Sequence, residues 1–272
     1  MFGKNILTVV GVIMSMVASA WFTNMANAGA VTSGLIAYWS FDKDTVDIGK
    51  GTVEDVWGDS DGEIRGDTKV VEGKIGEGLL LDGNVDFVLV GSKTLNRDYS
   101  GITLESWAYI NALDDSYNRI MTLDERATAG TTNNEAMLVY DDDDDRRGFI
   151  VKAKGKAADP GNIVPGDIPT EEWIHLMGVW DGKTAKYYEN GQLKGDYSFP
   201  GTIEGGNLTL GIGDRSDGAN GDTIQGVVDE VRIYERALSE AEVKQNYRAE
   251  GLAVMNLDKL SLTWGGIKSS RL

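Results

Sequence analysis

The chain has no cysteine, four prolines and a single histidine in 272 residues, and these shortages remove several classes of function. Without cysteine there is no disulfide, no thiolate nucleophile and no thiolate metal site. One histidine cannot build a zinc centre. His175 stands in the apolar run Trp173–Trp180, where a satisfied structural histidine is expected rather than a catalytic base. Basic residues are also scarce: 26 Lys and Arg against 43 Asp and Glu give a net charge of −17. Such a surface repels nucleic acid and anionic lipid, so no nucleic-acid partner is expected. Long apolar stretches are missing after the N-terminus, and no membrane span is expected in the mature chain.

What is present begins with a leader. Lys4 supplies a positive start, Ile6 to Ala18 an apolar run, and Ala26-Asn27-Ala28 a small-x-small cleavage pattern. Residues 1–28 are therefore predicted to be a signal peptide. The apolar run is shorter than the roughly 20 residues a spanning helix needs. A secreted, periplasmic or cell-surface location follows as an expectation. Residues 29–250 are assigned to one domain and 251–272 to a C-terminal tail.

Within that domain, short apolar runs recur between glycine- and Asp-rich stretches. Leu35 to Phe41 reads as a strand with Leu35, Ala37, Trp39 and Phe41 on one face. Leu79–Leu81 and Phe87–Val90 are two more, separated by a turn at Asp82-Gly83-Asn84. Ile102 to Ile110 alternates, with Ile102, Leu104, Ala108 and Ile110 opposed to Thr103, Glu105, Trp107 and Tyr109. Further runs lie at 120–123, 136–140, 149–153, 173–180, 208–212 and 227–234. Asn190-Gly191 marks a hairpin, because a type I′ turn needs positive φ at both central residues. Many strands at this spacing, broken by turn residues, predict an all-β, two-sheet antiparallel jelly-roll sandwich. One short C-terminal helix is predicted from about Glu240 to Ala249. Ser239 and Glu242 have capping-box spacing, and Leu238 with Val243 suits a hydrophobic staple. Gly251 is its expected stop.

Several segments together resemble the laminin-G-like jelly-roll family of the concanavalin A-like lectin/glucanase superfamily. They are Gly34-Leu-Ile-Ala-Tyr-Trp-Ser-Phe-Asp42, Gly73-Lys-Ile-Gly-Glu-Gly-Leu-Leu-Leu-Asp-Gly83, Ile102-Thr-Leu-Glu-Ser-Trp107, Trp173-Ile-His-Leu176 with Trp180-Asp-Gly182, Tyr188-Glu-Asn-Gly191, and Val228-Asp-Glu-Val-Arg-Ile-Tyr-Glu-Arg-Ala-Leu-Ser-Glu240. The resemblance implies two stacked antiparallel sheets with the first and last strands adjacent. It also implies a structural calcium ion held by Asp42, Asp82 and Asp229, which sit at matching motif positions. Lys43 and the segment Asn84-Val85-Asp86-Phe87 depart from the usual pattern. The alternative is that Asp229 pairs with Arg232 or a loop amide, and that Asp42 and Asp82 are turn residues.

Catalysis by a glucanase mechanism needs two carboxylates flanking the scissile bond. Asp59, Asp61 and Glu63, and likewise Asp141, Asp143 and Asp145, have the spacing that places acids on one strand face. Both sets read as solvated loops, the second as a charged hairpin tip that deters edge pairing. No enzyme activity is expected. Four tryptophans (Trp39, Trp107, Trp173, Trp180) are assigned to the core. Trp57 and Tyr117, in polar loops, are the candidate ligand-binding aromatics. The sequence therefore predicts a calcium-stabilised recognition module whose partner is carbohydrate. A structural or adhesive protein contacting an extracellular protein is the second reading, and a glycoside hydrolase or lyase the third.

Overall fold

The computed structural model describes residues 29–113, 117–125, 135–141, 146–152, 163–166, 169–215 and 223–249. The expected leader, the tail from 251 and Gly251 itself lie outside them, as do 142–145 in the aspartate run. Residues 31–247 form one compact unit. Among the described residues no helix is long and apolar enough to cross a membrane.

The strand β8 (Ile102–Ala112) shows how alternation becomes a layer. Ile102, Leu104, Ala108 and Ile110 enter the main core cluster, and the intervening side chains face away. β13 (Trp173–Trp180) pairs antiparallel with it from Trp180↔Ile102 to Trp173↔Tyr109. On the far side of β13 lie β14 (Thr184–Glu189) and β15 (Gln192–Ser198), joined by the Asn190-Gly191 turn. Both turn residues have positive φ, 50° and 73°, as the hairpin signal requires. On the other side of β8 come β17 (Gln225–Tyr234), β6 (Glu77–Asp82) and the edge strand β5 (Lys69–Glu72). β1 (Leu35–Trp39) joins the C-terminal half of β17, with Trp39 opposite Val231. The first long strand and the last one are thus neighbours.

The second sheet runs β12 (Ile163–Pro165), β11 (Arg146–Lys152), β10 (Glu135–Asp141), β9 (Tyr117–Glu125), β16 (Leu208–Ile212), β7 (Phe87–Val90), β4 (Gly62–Arg65), β3 (Thr52–Val53) and β2 (Val46–Asp47). The core lies between the sheets and includes Trp39, Trp180, Leu79, Val88, Leu123 and Phe149. This is the two-sheet antiparallel sandwich that the alternation predicts. β6 and β7 belong to different sheets, so the Asp82-Gly83-Asn84 turn carries the chain across the sandwich. Asp141 and Arg146 face each other at the end of the β10–β11 pair.

Two differences from the sequence reading have physical causes. Trp107 and Trp173 are not in the core between the sheets. They point from the outer face of the first sheet, where Trp107 stacks with Tyr247 at 5.8 Å and Trp173 meets Tyr109 edge-on at 5.7 Å. Period-two alternation places Trp107 opposite Leu104 and Ala108, so its own strand pattern already required this. The strands β2 to β5 and β12 went unread because they are two to four residues long, too short for alternation to register.

The helix α1 (Glu240–Arg248) begins on the predicted capping box. The Glu242 carboxylate accepts the Ser239 N–H at 2.7 Å, and Arg236 donates to it at 2.6 Å. The Arg236 and Ser239 bonds hold Glu242 down to about 2. Beneath α1 the outer face of the first sheet carries a buried polar network. Asn246 donates to Glu105 Oε2 at 2.7 Å, His175 Nε2 lies 2.9 Å from Glu105 Oε1, and Arg232 donates to the same oxygen at 3.1 Å. Val228, Val231 and Ile233 all reach the core, so Asp229 and Glu230 stand side by side outside it. A bulge makes this possible: the register with β8 shifts between Asp229 and Arg232, and Glu230 has φ 54°.

Candidate functional site

The short strands form the walls of a cleft of about 1500 Å³. One wall is the edge of the second sheet: Val46, Asp47, Thr52 and the segment from Glu54 to Asp61. The other is the edge of the first sheet, Thr68 to Glu72, continued by Gly76 and Glu77. Among the described residues β5 and β2 each have one strand neighbour. β5, four residues long, therefore presents backbone donors and acceptors that its own sheet does not use, whereas β2 spans two residues and its Asp47 carbonyl already accepts the Lys50 N–H.

The loop between β3 and β4 is held by one carboxylate. Asp55 is buried, and its Oδ1 accepts the N–H groups of Tyr38, Trp57 and Gly58 at 2.9, 3.1 and 3.0 Å. Its Oδ2 accepts the Ser60 N–H at 3.0 Å, and its own N–H goes to Asp61 Oδ1 at 2.9 Å. Trp57 is 46% exposed, yet its indole N–H is tied to the Leu35 carbonyl at 2.9 Å. Its ring is not among the cleft-lining groups, but Gly58 and Asp59, which follow it, are.

The opposite loop, 73–77, is held by two of the expected calcium ligands. Asp229 Oδ2 accepts the N–H groups of Lys74 and Ile75 at 2.8 and 2.9 Å. Asp42 Oδ1 accepts the N–H of Glu77 at 3.1 Å. Gly76 has φ 67°, and a Cβ there would run into the Asp42 carboxylate; glycine is the residue this close approach permits. Asp229 is fully buried and its Oδ1 has no partner. Burial pushes its carboxyl up to about 8, against the lowering effect of the loop amides.

Calcium requires six to eight converging oxygens, and the three aspartates do not supply one cage. Asp42 and Asp229 each direct an oxygen at backbone N–H donors. Asp82 is at the opposite end of β6, about 16 Å along the strand from Glu77. There it stands with Asp67 and Asp86, their carboxylate oxygens within 4.8 Å of one another. Asp86 is buried and accepts the N–H groups of Asp67 and Asp82 at 2.8 and 3.1 Å. Asp229 Oδ2 holds the loop amides, while its Oδ1 has no hydrogen-bond partner among the described residues.

The other expected site residues disperse. Tyr117 begins β9, in register with Asp141. Asp59 and Asp61 line the cleft, whereas Glu63 pairs with Arg65 at 2.8 Å. Asp59 Oδ1 accepts the Thr94 hydroxyl at 2.5 Å. Asp61 thus commits an oxygen to the loop that carries it, and Asp59 commits one to Thr94, in the segment after β7.

The sequence model of the concanavalin A-like lectin/glucanases superfamily, in its laminin G form, matches residues 82–244. The chain belongs to that superfamily. The match begins at Asp82, so the cleft residues 43–77 precede it. No curated protein matches the chain in sequence. Among solved structures, this concanavalin A-like chain is similar to domain 4 of AbnA, a GH43 extracellular arabinanase from Geobacillus stearothermophilus in complex with arabinotriose. The TM-score is 0.55 at 20% identity over 78% of this chain and 98% of that one. It is also similar to Trypanosoma rangeli sialidase in complex with sialic acid, with TM-score 0.58 at 17% identity over 81% of this chain and 33% of the sialidase. The binding domain of Paraclostridial Mosquitocidal Protein 1 gives TM-score 0.58 at 16% identity, over 79% and 52%. The chain thus spans about a third of the length of the sialidases it resembles. At these identities the likeness is one of fold.

Proposed function

We propose that this chain is an exported, non-catalytic carbohydrate-recognition module that binds glycans along the cleft between β2–β3 and β5. The observation that carries the reading is the composition of the cleft walls. A sugar hydroxyl both donates and accepts, and here the β5 edge offers unused N–H and C=O groups beside the carboxylates and lysines of both walls. Beside the cleft rather than in its lining, Trp57 adds a half-exposed ring in a fixed orientation, suited to the C–H face of a sugar. The complex of the similar arabinanase domain with arabinotriose supports the ligand class. The engagement of Asp61 by its own loop and of Asp59 by Thr94 supports binding over hydrolysis, which needs a free, opposed pair.

A glycan array probed with the full chain tests this. The expected result is retention of a defined set of oligosaccharides without their cleavage. Trp57→Ala is expected to weaken retention about tenfold, the effect of losing one stacking ring. Retention of no glycan would sink the reading, and release of new reducing ends would make the protein a hydrolase. The adhesive reading is favoured by one observation, the unpartnered β5 edge, which an extended peptide can join.

Calcium belongs to this proposal only as a stabiliser, tested at Asp82. Thermal melts in calcium and in EDTA, on the wild type and Asp82→Asn, show whether an ion is held there. Asp229→Asn is expected to move the midpoint by the same amount in both media, because amide donors already engage that carboxylate.

A further inference from the structure

The charge of the cleft separates classes of glycan. Five exposed carboxylates line it with no cationic side chain paired to them: Asp44, Glu54, Asp59, Asp61 and Glu72. Against them stand three lysines, and Lys50 is already bound to Asp47 at 2.7 Å. That leaves Lys43 and Lys69 in a groove whose surrounding chain is itself strongly acidic. A concave wall of one sign focuses the field, attracting counter-charges and repelling like ones. Resting on the carbohydrate reading above, we infer that the cleft selects glycans carrying protonated amino groups, oligomers of glucosamine, over their N-acetylated counterparts. It rejects glycans bearing carboxylate or sulfate. The amines meet carboxylates while the hydroxyls meet the β5 edge, so one groove supplies both halves of the recognition.

The test is calorimetric titration of the full chain with three hexamers: glucosamine, N-acetylglucosamine and galacturonic acid. A mildly acidic buffer keeps the carboxylates ionised and the sugar amine protonated. The glucosamine hexamer is expected to bind about tenfold tighter than the acetylated one. Raising salt from about 0.02 M to about 0.5 M should erase most of that advantage, since the contacts are exposed. The galacturonate hexamer is expected not to bind. In the double variant Asp44→Asn/Glu72→Gln the glucosamine affinity should fall several-fold, and by clearly more than the N-acetylglucosamine affinity does. Equal or tighter binding of the acetylated hexamer, or binding of galacturonate, overturns the inference and leaves glycan recognition standing. An undiminished glucosamine affinity in the double variant also overturns it, by assigning attraction to the general surface. If none of the hexamers binds, while the array retains other glycans, the inference alone fails. Silence in both experiments removes the carbohydrate reading itself.

Discussion

Arg232→Met is expected to remove about 3–5 kcal/mol of folding stability, read as a lower urea midpoint at neutral pH. The guanidinium is 2% exposed and is the cation shared by two buried carboxylates, Glu105 and Glu230. It also lies 4.4 Å over the Tyr38 ring. Burial works against the Glu105 carboxylate, but Arg232 and the His175 and Asn246 bonds outweigh it and hold its pKa below the usual range. For Glu230 burial wins over Arg232 and Tyr38, and its pKa is raised. Methionine fills much of the space but leaves both carboxylates without a counter-ion. Each must then be protonated, at the expense of Tyr38, Tyr234 and Asn246 bonds, or remain as an unpaired buried charge. The deficit should shrink as the pH is lowered through about 4, because the variant's buried carboxylates take up protons more readily than the unfolded chain's. A loss below about 1 kcal/mol at neutral pH would show the network to be dispensable. A marginal domain holds only about 5–15 kcal/mol in all, so the variant should also be far more sensitive to temperature.

The second large effect is expected at Asp55, where stability and binding fall together. Asp55→Ala removes the acceptor for four backbone N–H groups at once. Two of these belong to Tyr38 and Ser60, which are buried. Leaving a buried donor unpaired costs about 1–3 kcal/mol, so a loss of about 3–4 kcal/mol is expected in a denaturant titration. Unlike Arg232→Met, this change also releases the segment carrying Trp57 and the cleft residues Gly58 and Asp59. Amide exchange should quicken across 54–61 before it changes in β8 or β13, and glycan retention should drop further than with Trp57→Ala. Undiminished retention in Asp55→Ala would separate this loop from the binding surface. Asp55→Asn should fall between, since its carbonyl oxygen can still accept while its amide group faces a donor.

The long strands were legible because each buries one face, and burial writes a period of two into the sequence. The helix was legible from Ser239 and Glu242, whose mutual bonds depend on a spacing of three. The cleft was not. Its strands are short and polar because they sit at sheet edges, where only one face or neither is covered, so no alternation is imposed. Asp55 was missed for another reason: its partners are backbone N–H groups, including one 17 residues away, and a backbone donor leaves no mark on residue identity. Asp42 and Asp229 were singled out as calcium ligands, and in the fold both accept backbone N–H groups of the 73–77 loop. All three aspartates, Asp82 among them, entered the group through their motif positions. The length of β6, which separates Asp82 from the other two, becomes informative once the strand's true ends are known.

The adjacency of β1 and β17 has a mechanical consequence. Val31 donates to the Asn246 side chain at 2.8 Å, and Leu35 faces Tyr234 at the same margin of the sheet. Tension applied at residues 31 and 246 therefore does not shear the β1–β17 ladder along its length. It peels the two strands apart from one side, loading the Val31–Asn246 bond first and each rung in turn. Bonds broken singly resist far less force than bonds broken together.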